Sequence, residues 1–240
     1  MTSRKPTSKP APLEIMDLGH AGYEKILKLQ YSVQSMRRQG KVKDTVLVVE
    51  HPPTITFGVR EGINRLAVGK KELEKRGIAL VKTNRGGGAT AHNPGQVVCY
   101  PILDLQERSL SVDEYVASLE DIGISLLERL GVHALRREGF PGLWVQAFGG
   151  EGTALWKKIA SIGIHLSGMV TAHGMAMNIQ NDLSIFNHIV PCGIEGISLT
   201  SVREETGREY DMQEVKRILG ECVRGRLAPT GAIAEEIAGD

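Results

Sequence analysis

Cysteine is scarce in this chain: three residues in 240, Cys99, Cys192 and Cys222, an odd number set far apart with no CxxC pair. That excludes a disulfide framework and a cysteine-built structural zinc site, and it points to a reducing, cytoplasmic setting. An excess of charge of one sign is missing too. Twenty-nine Lys and Arg against 28 Asp and Glu leave a net charge of +1. Such a balance provides no global basic field for nucleic acid and no polybasic stretch for a membrane surface. No apolar run approaches the length of a membrane span. The opening MTSRKPTSKPAPLE is basic and proline-bearing but has no apolar centre, so it is not expected to serve as a secretory signal. Neither an internal repeat nor a linker between two domains is visible.

What is present is enough apolar material for one core, 41% of the residues. Residues 1–12, rich in Pro, Ser, Thr and Lys, read as a disordered tail, 13–227 as one folded domain, and 228–240 as a C-terminal tail. Within the domain, strands are expected at 13–18, 45–50, 78–84, 97–103, 143–145, 158–166 and 175–179. The prolines at 52 and 53 should end the second of these, because neither donates a ladder hydrogen bond. Helices are expected at 21–39, 68–76 with Gly77 as its stop, 111–130 and 212–226. Ser111-Val-Asp-Glu114 has the capping-box pattern, and Ser201-x-x-Glu204 repeats it. Strands and helices do not alternate strictly. The expected fold is therefore a single α/β (α+β) domain on a mixed, largely antiparallel sheet flanked by helices.

Four segments carry possible chemistry. RGGGATAHNPGQVVCYP, residues 85–101, contains three consecutive glycines, which let backbone N–H groups approach a ligand closely. It lacks the GK[ST] ending of a P-loop, and a proline and a strand follow where a GxGxxG motif needs a helix. It reads as a loop shaped to an elongated ligand or, more simply, as a turn between strands. In KKIASIGIHLSGMV, residues 157–170, Lys158 enters a strand of small and β-branched residues. A buried amine there would be a usable base, whereas one at a strand end reaches solvent. His173, ahead of Gly174, is read as a structural or ligand-positioning residue, since no acidic orienter lies nearby. Cys192, between Pro191 and Gly193, sits in a constrained turn that can present a thiol. Cys99 and Cys222 read as inert apolar residues.

These segments, in this order, resemble the lipoyl(octanoyl) transferase family. The resemblance runs from about residue 23 to about 206. Besides the four segments it includes EHPPTITFG (50–58) and PGLWV (141–145). It implies a fold similar to biotin and lipoate protein ligases, and a reaction in which octanoyl passes from acyl carrier protein to a cysteine and then to a lysine of an apo lipoyl domain. It also implies that Cys192 is the nucleophile and Lys158 its proton partner. The acyl-binding positions carried over are Arg85, Gly86, Gly87, Gly88, Ala89, Thr90, Ala91 and His92, then Ser161, Ile162 and Gly163, then His173, Gly174, Met175 and Ala176. No cofactor or metal is expected, and a cytoplasmic monomer is.

An ATP-dependent lipoate or biotin protein ligase shares the fold but needs no cysteine; the PCGI segment favours the transferase. A non-catalytic carrier-binding or lipoyl-domain-binding protein would not need both Cys192 and Lys158. A metal site from His92, His173 and Cys192 lacks ligand spacing, and no Cys/His/Asn arrangement for a cysteine hydrolase emerges. Acidic protein partners imply a basic rim, for which Arg37, Arg38, Lys41 and Lys43 are the candidates.

Overall fold

A computed structural model describes residues 13–148, 154–190 and 197–228 of the chain. The expected tails, apart from Ala228, lie outside the described residues. A large sheet of seven strands has the order β1-β2-β6-β9-β8-β10, with β7 on the free side of β8's N-terminal half. Its members are β1 (Leu13–His20), β2 (Asp44–Glu50), β6 (Gln96–Ile102), β7 (Leu143–Phe148), β8 (Ala154–Ser167), β9 (Val170–Asn178) and β10 (Ser198–Leu199). The pairs β1–β2 and β8–β10 are parallel, and the other four are antiparallel. The mixed, largely antiparallel sheet of the sequence reading is thus present.

Both faces of the sheet are covered, so the central strands are buried on consecutive residues and carry apolar runs rather than strict alternation. β2 is buried throughout. Val46 and Val48, with Val97 and Cys99 of β6 and Met175 and Met177 of β9, face helices α3 (Val112–Arg129) and α5 (Met212–Leu227). Leu47, Val49, Val98, Tyr100 and Ala176 face the opposite way, towards Ile26 and Val33 of α1 (Tyr23–Arg38). The inner stripe of α1 also carries polar groups, and two of them bond to strand β9 below. Gln30 Oε1 accepts from His173 N at 2.8 Å, and Gln34 Nε2 donates to Val170 O at 2.8 Å.

The chain then builds a second, three-stranded sheet that the sequence reading did not anticipate. In it β3 (Thr54–Phe57) lies between β4 (Ala79–Lys82), parallel to it, and β5 (Thr90–His92), antiparallel. Pro52 and Pro53 mark the crossing from one sheet to the other, as two residues without ladder donors must. The end of the glycine-rich segment, expected as a loop, is therefore strand β5. Its apolar backing is Ile55, Leu73 of α2 (Lys70–Lys75), Ala91, and Ile185 and Phe186 from the 3-10 turn Leu183–His188. β9 begins at Val170, well before the expected start at Met175, because His173-Gly174 reads locally as a turn and is forced into the sheet by its neighbours.

The helix signals fare well. Ser111 and Glu114 make both capping-box bonds, Glu114 N to Ser111 Oγ at 3.2 Å and Ser111 N to Glu114 Oε2 at 2.8 Å. Ser201 makes only the forward bond, 3.2 Å, at the start of α4 (Val202–Thr206), and the Glu204 carboxylate accepts from Thr200 Oγ1 instead. Gly77 closes α2 at φ +69°. Among the described residues no helix is long and apolar enough to cross a membrane.

Candidate active site

β5 and the glycine loop before it lie across the α1 face of the large sheet and roof a narrow cavity of about 50 Å³. Residues 85–90 and 92 form the roof, 161–163 of β8 and 173–176 of β9 the floor, and Tyr23, Val98 and Tyr100 complete the wall. All but one of the expected acyl-binding residues meet here. The exception is Ala91, which pairs with Ile55 and turns its methyl to the second core. Alternation along a strand sends Thr90 and His92 one way and Ala91 the other.

The roof is held by Arg85, which is buried. Its guanidinium donates to Gly88 O at 2.7 Å, Gly86 O at 3.1 Å and Thr56 O at 2.8 Å. The loop's own carbonyls and β3 therefore occupy those donors. Gly86 N donates to Ile164 O at 2.9 Å, fastening the loop to β8. A Cβ on Gly163 would stand 3.0 Å from Gly86 O, so roof and floor approach this closely only because that residue is glycine.

Lys158 reaches the same face of the sheet through an irregularity in β8. Leu143 pairs with Ala160 and Trp144 with Lys158, which leaves Ile159 as an extra residue, a β-bulge. Ile159 and Ala160 both turn into the α3–α5 core. Strict alternation from Ser161 would give Ile159 and Lys157 to the cavity face; the extra residue gives it Lys158. The Lys158 side chain is 4% exposed, donates to Pro141 O at 3.0 Å and stands 5.1 Å from the centre of the Trp144 ring. Lys157 goes to the other face and pairs with Glu205 at 3.2 Å. Gly142, φ +118°, makes the approach possible: a Cβ there would meet Ala160 O at 2.3 Å and Lys158 Cε at 3.0 Å.

Along the cavity wall and behind it runs a series of buried and half-buried rings. Tyr31 OH hydrogen-bonds His173 Nε2 at 3.2 Å, and His51 joins Ala21 O at 2.8 Å to Tyr100 OH at 3.0 Å. Burial penalises the imidazolium and lowers His51 to about 4 and His173 to about 3; Arg85 adds to the effect at His173. His92 is also held well below its usual value by burial, and its Nδ1–H donates to Gln96 Oε1 at 2.8 Å. All three rings are neutral at physiological pH. His173 adopts φ +60°, unusual for a side-chain-bearing residue, and its buried Nδ1 has no partner among the described residues.

Cys192 lies outside the described residues; the chain reaches Val190, whose N–H donates to Arg65 O at 3.1 Å. Cys99 is buried and pushed up to about 12 by desolvation, and half-buried Cys222 is raised for the same reason. Arg37, one of the expected rim cations, is buried. It pairs with Asp44 and Glu107 at 2.6 Å each, and so belongs to the fold and not to a rim. Tyr23, Tyr100, Val98 and Gly142 were not singled out from the sequence. Tyr100 and Val98 could have been found by alternation once β6 was oriented, but Tyr23 comes from a distant helix and carries no local signal.

Residues 22–224 match the model of the lipoyl protein ligase A/B catalytic domain. The chain belongs to that family. An octanoyltransferase of Desulfovibrio desulfuricans is 42% identical over 222 residues, 92% of this chain and 90% of the relative. One from Solibacter usitatus is 43% identical, covering 75% of this chain and 78% of the relative. Among solved structures, the bi-partite lipoate protein ligase of Thermoplasma acidophilum superposes with a TM-score of 0.66 at 17% identity, over 91% of this chain and 84% of that one. A lipoate-protein ligase A bound with ATP gives 0.63 at 19% identity, over 91% and 85%. At such identities the superpositions establish the fold alone, and it is the fold expected from the sequence.

Proposed function

We propose that this chain takes an octanoyl group from octanoyl-acyl carrier protein onto Cys192 as a thioester and passes it to a lysine of an apo lipoyl domain. Octanoyl transfer follows from family membership and from relatives of that name over most of the chain. Donor, covalent step and residue roles are our reading. The observation that carries them is the bulge at Ile159, which turns the buried Lys158 amine to the face of the narrow, largely apolar cavity.

In the first half-reaction Lys158 takes the Cys192 proton, and the thiolate attacks the thioester carbonyl. The donor's C–S bond breaks, and the departing thiolate receives the proton back from Lys158. In the second, the acceptor amine attacks the Cys192 thioester and Lys158 accepts an amine proton. The C–S bond breaks, an amide forms, and the proton returns to the Cys192 thiolate. Thioester exchange is nearly isoenergetic and amide formation is downhill, so no ATP is required. Glycines at 86–88 and 163, with Ala89 and Ala176, leave a slot that suits a straight acyl chain. The neutral His51, His92 and His173 add no charge beside the Arg85 guanidinium, whose donors are held by backbone carbonyls.

Intact-mass measurement after mixing the protein with octanoyl-acyl carrier protein, without ATP, tests the reading. One octanoyl group should appear on Cys192, be absent in Cys192→Ser, and discharge onto an apo lipoyl domain. Modification of the lipoyl domain only when octanoate and ATP are supplied would replace the transferase by a ligase.

A further inference from the structure

A second concavity lies outside this site. A groove of about 600 Å³ opens where β3 and β4 end, with Phe57, Val59 and Leu66 supplying apolar surface and Asn64, Lys70 and Lys82 polar surface. Its walls are shared with both halves of the proposed reaction centre. Val59 N donates to Arg85 O at 3.0 Å and Arg60 N to Gly87 O at 3.2 Å, so one wall backs directly onto the glycine loop. On the other side, Ala67 N donates to His188 O at 2.9 Å, and Arg65 O accepts from Val190 N. In sequence, Cys192 follows Val190 by two residues.

Three properties of the groove point to one kind of occupant. Its charged lining is net cationic, Lys70 and Lys82 against Glu61. It carries apolar surface in the open, since Val59 is 57% exposed. It also has an unused acceptor, because Asn64 donates from Nδ2 to Gly58 O at 2.8 Å while its buried Oδ1 has no partner among the described residues.

Resting on the donor assigned above, we propose that this groove receives the phosphorylated pantetheine arm of the acyl carrier. Lys70 and Lys82 pair with its phosphodiester, Phe57, Val59 and Leu66 cover its dimethyl carbon, and Asn64 Oδ1 accepts from an amide N–H. The arm ends in the thioester, so a groove that borders both the glycine loop over the acyl slot and the residues 188–190 that precede Cys192 in sequence suits delivery of the reacting carbon. The basic surface for the donor is then this one and not the turn after α1 considered from the sequence.

The test uses the full chain and two small donors, octanoyl-4′-phosphopantetheine and octanoyl-pantetheine, which differ only in the phosphate. Acylation of Cys192 is followed by intact mass. Reversal of both lysines (Lys70→Glu, Lys82→Glu) should raise KM for the phosphorylated donor about tenfold and change that for the other less than about twofold. Reversal of Lys41 and Lys43 (Lys41→Glu, Lys43→Glu), an equal charge change elsewhere on the surface, should change neither. Both groove lysines are exposed, and the single Lys82→Gln exchange serves if the double reversal fails to fold. Equal effects on the two donors, or none, overturn the proposal. So does slower discharge onto the lipoyl domain with donor KM unchanged, which would give the groove to the acceptor. Failure of the wild-type protein to be acylated by either donor or by octanoyl-acyl carrier protein would remove the donor reading itself, and the groove assignment with it.

Discussion

Replacing Gly142 by Ala should damage stability and acyl transfer together, and the size of each effect follows from the backbone around Lys158. Gly142 has φ +118°, beyond the left-handed basin that other residues occasionally visit, which costs roughly 1–3 kcal/mol for a residue with a Cβ. The new methyl would also stand 2.3 Å from Ala160 O, a backbone atom held in the β7–β8 ladder, adding about 1–3 kcal/mol of overpacking. Together the loss is about 2–6 kcal/mol out of a total stability on the order of 5–15 kcal/mol. Gly139→Ala is the control: φ is +76° but nothing lies within 4 Å, so only about 1–2 kcal/mol of backbone strain is expected. Urea unfolding of the two variants should therefore separate them by at least about 1 kcal/mol. The second neighbour of the new methyl is Lys158 Cε at 3.0 Å, the softer obstacle. If the amine shifts by about 1 Å, acylation of Cys192 should slow about a hundredfold in the folded fraction, while Gly139→Ala keeps the wild-type rate. A Gly142→Ala protein as stable as Gly139→Ala would refute the crowding at Ala160. One that is destabilised but transfers octanoyl at full rate would refute the role given to Lys158.

Arg85→Ala strips charged donors from the buried Gly88 and Thr56 carbonyls, and should cost about 2–6 kcal/mol in urea unfolding. Arg85→Lys should recover little of it, because a single ammonium cannot span both carbonyls; full recovery would show that charge alone matters. Lowering the pH should destabilise the fold. His51 and His173 are depressed to about 4 and about 3 by burial, so below about pH 6.5 the unfolded chain takes up protons that the folded chain refuses. Their contribution is complete above pH 6.5 and falls by about 1.4 kcal/mol per pH unit per histidine, about 4 kcal/mol in all at pH 5. Urea midpoints measured from pH 7.5 to 5 check this, and a flat profile would contradict it. Iodoacetamide on the native protein at pH 8 should leave Cys99 unlabelled and react with Cys222 slowly. Mass mapping that found Cys99 labelled as fast as Cys222 would mean the core is not closed over it.

The local signals in the chain were strong where one turn or one strand is enough to state them. The Ser111–Glu114 capping box, the Gly77 stop and the apolar runs of β2 and β6 all occur as read, since each depends on neighbours a few residues away. The positions proposed to bind the acyl chain were legible only through the family resemblance, and the cavity gathers them save Ala91, whose side chain follows strand alternation into the second core. Arg37 read as a surface cation because a helix C-terminus is often solvated; its partners Asp44 and Glu107 come from β2 and the turn before α3. The three-stranded sheet escaped notice because short strands such as Thr90–His92 carry no period of their own and exist only by pairing.

By itself the sequence determined the composition of one α/β domain, the ends of its helices, the family and the residues to which its proposed chemistry is assigned. It did so because propensity, capping and motif order are written in contiguous residues. Tertiary structure alone decided which way those residues point. Counting by twos along β8 gives Lys157 to the cavity face, and only the unequal pairing of Leu143 and Trp144 with Ala160 and Lys158 inserts the bulge that gives it Lys158. A bulge is a property of two strands in register, and the partner strand is not adjacent in the code that specifies it.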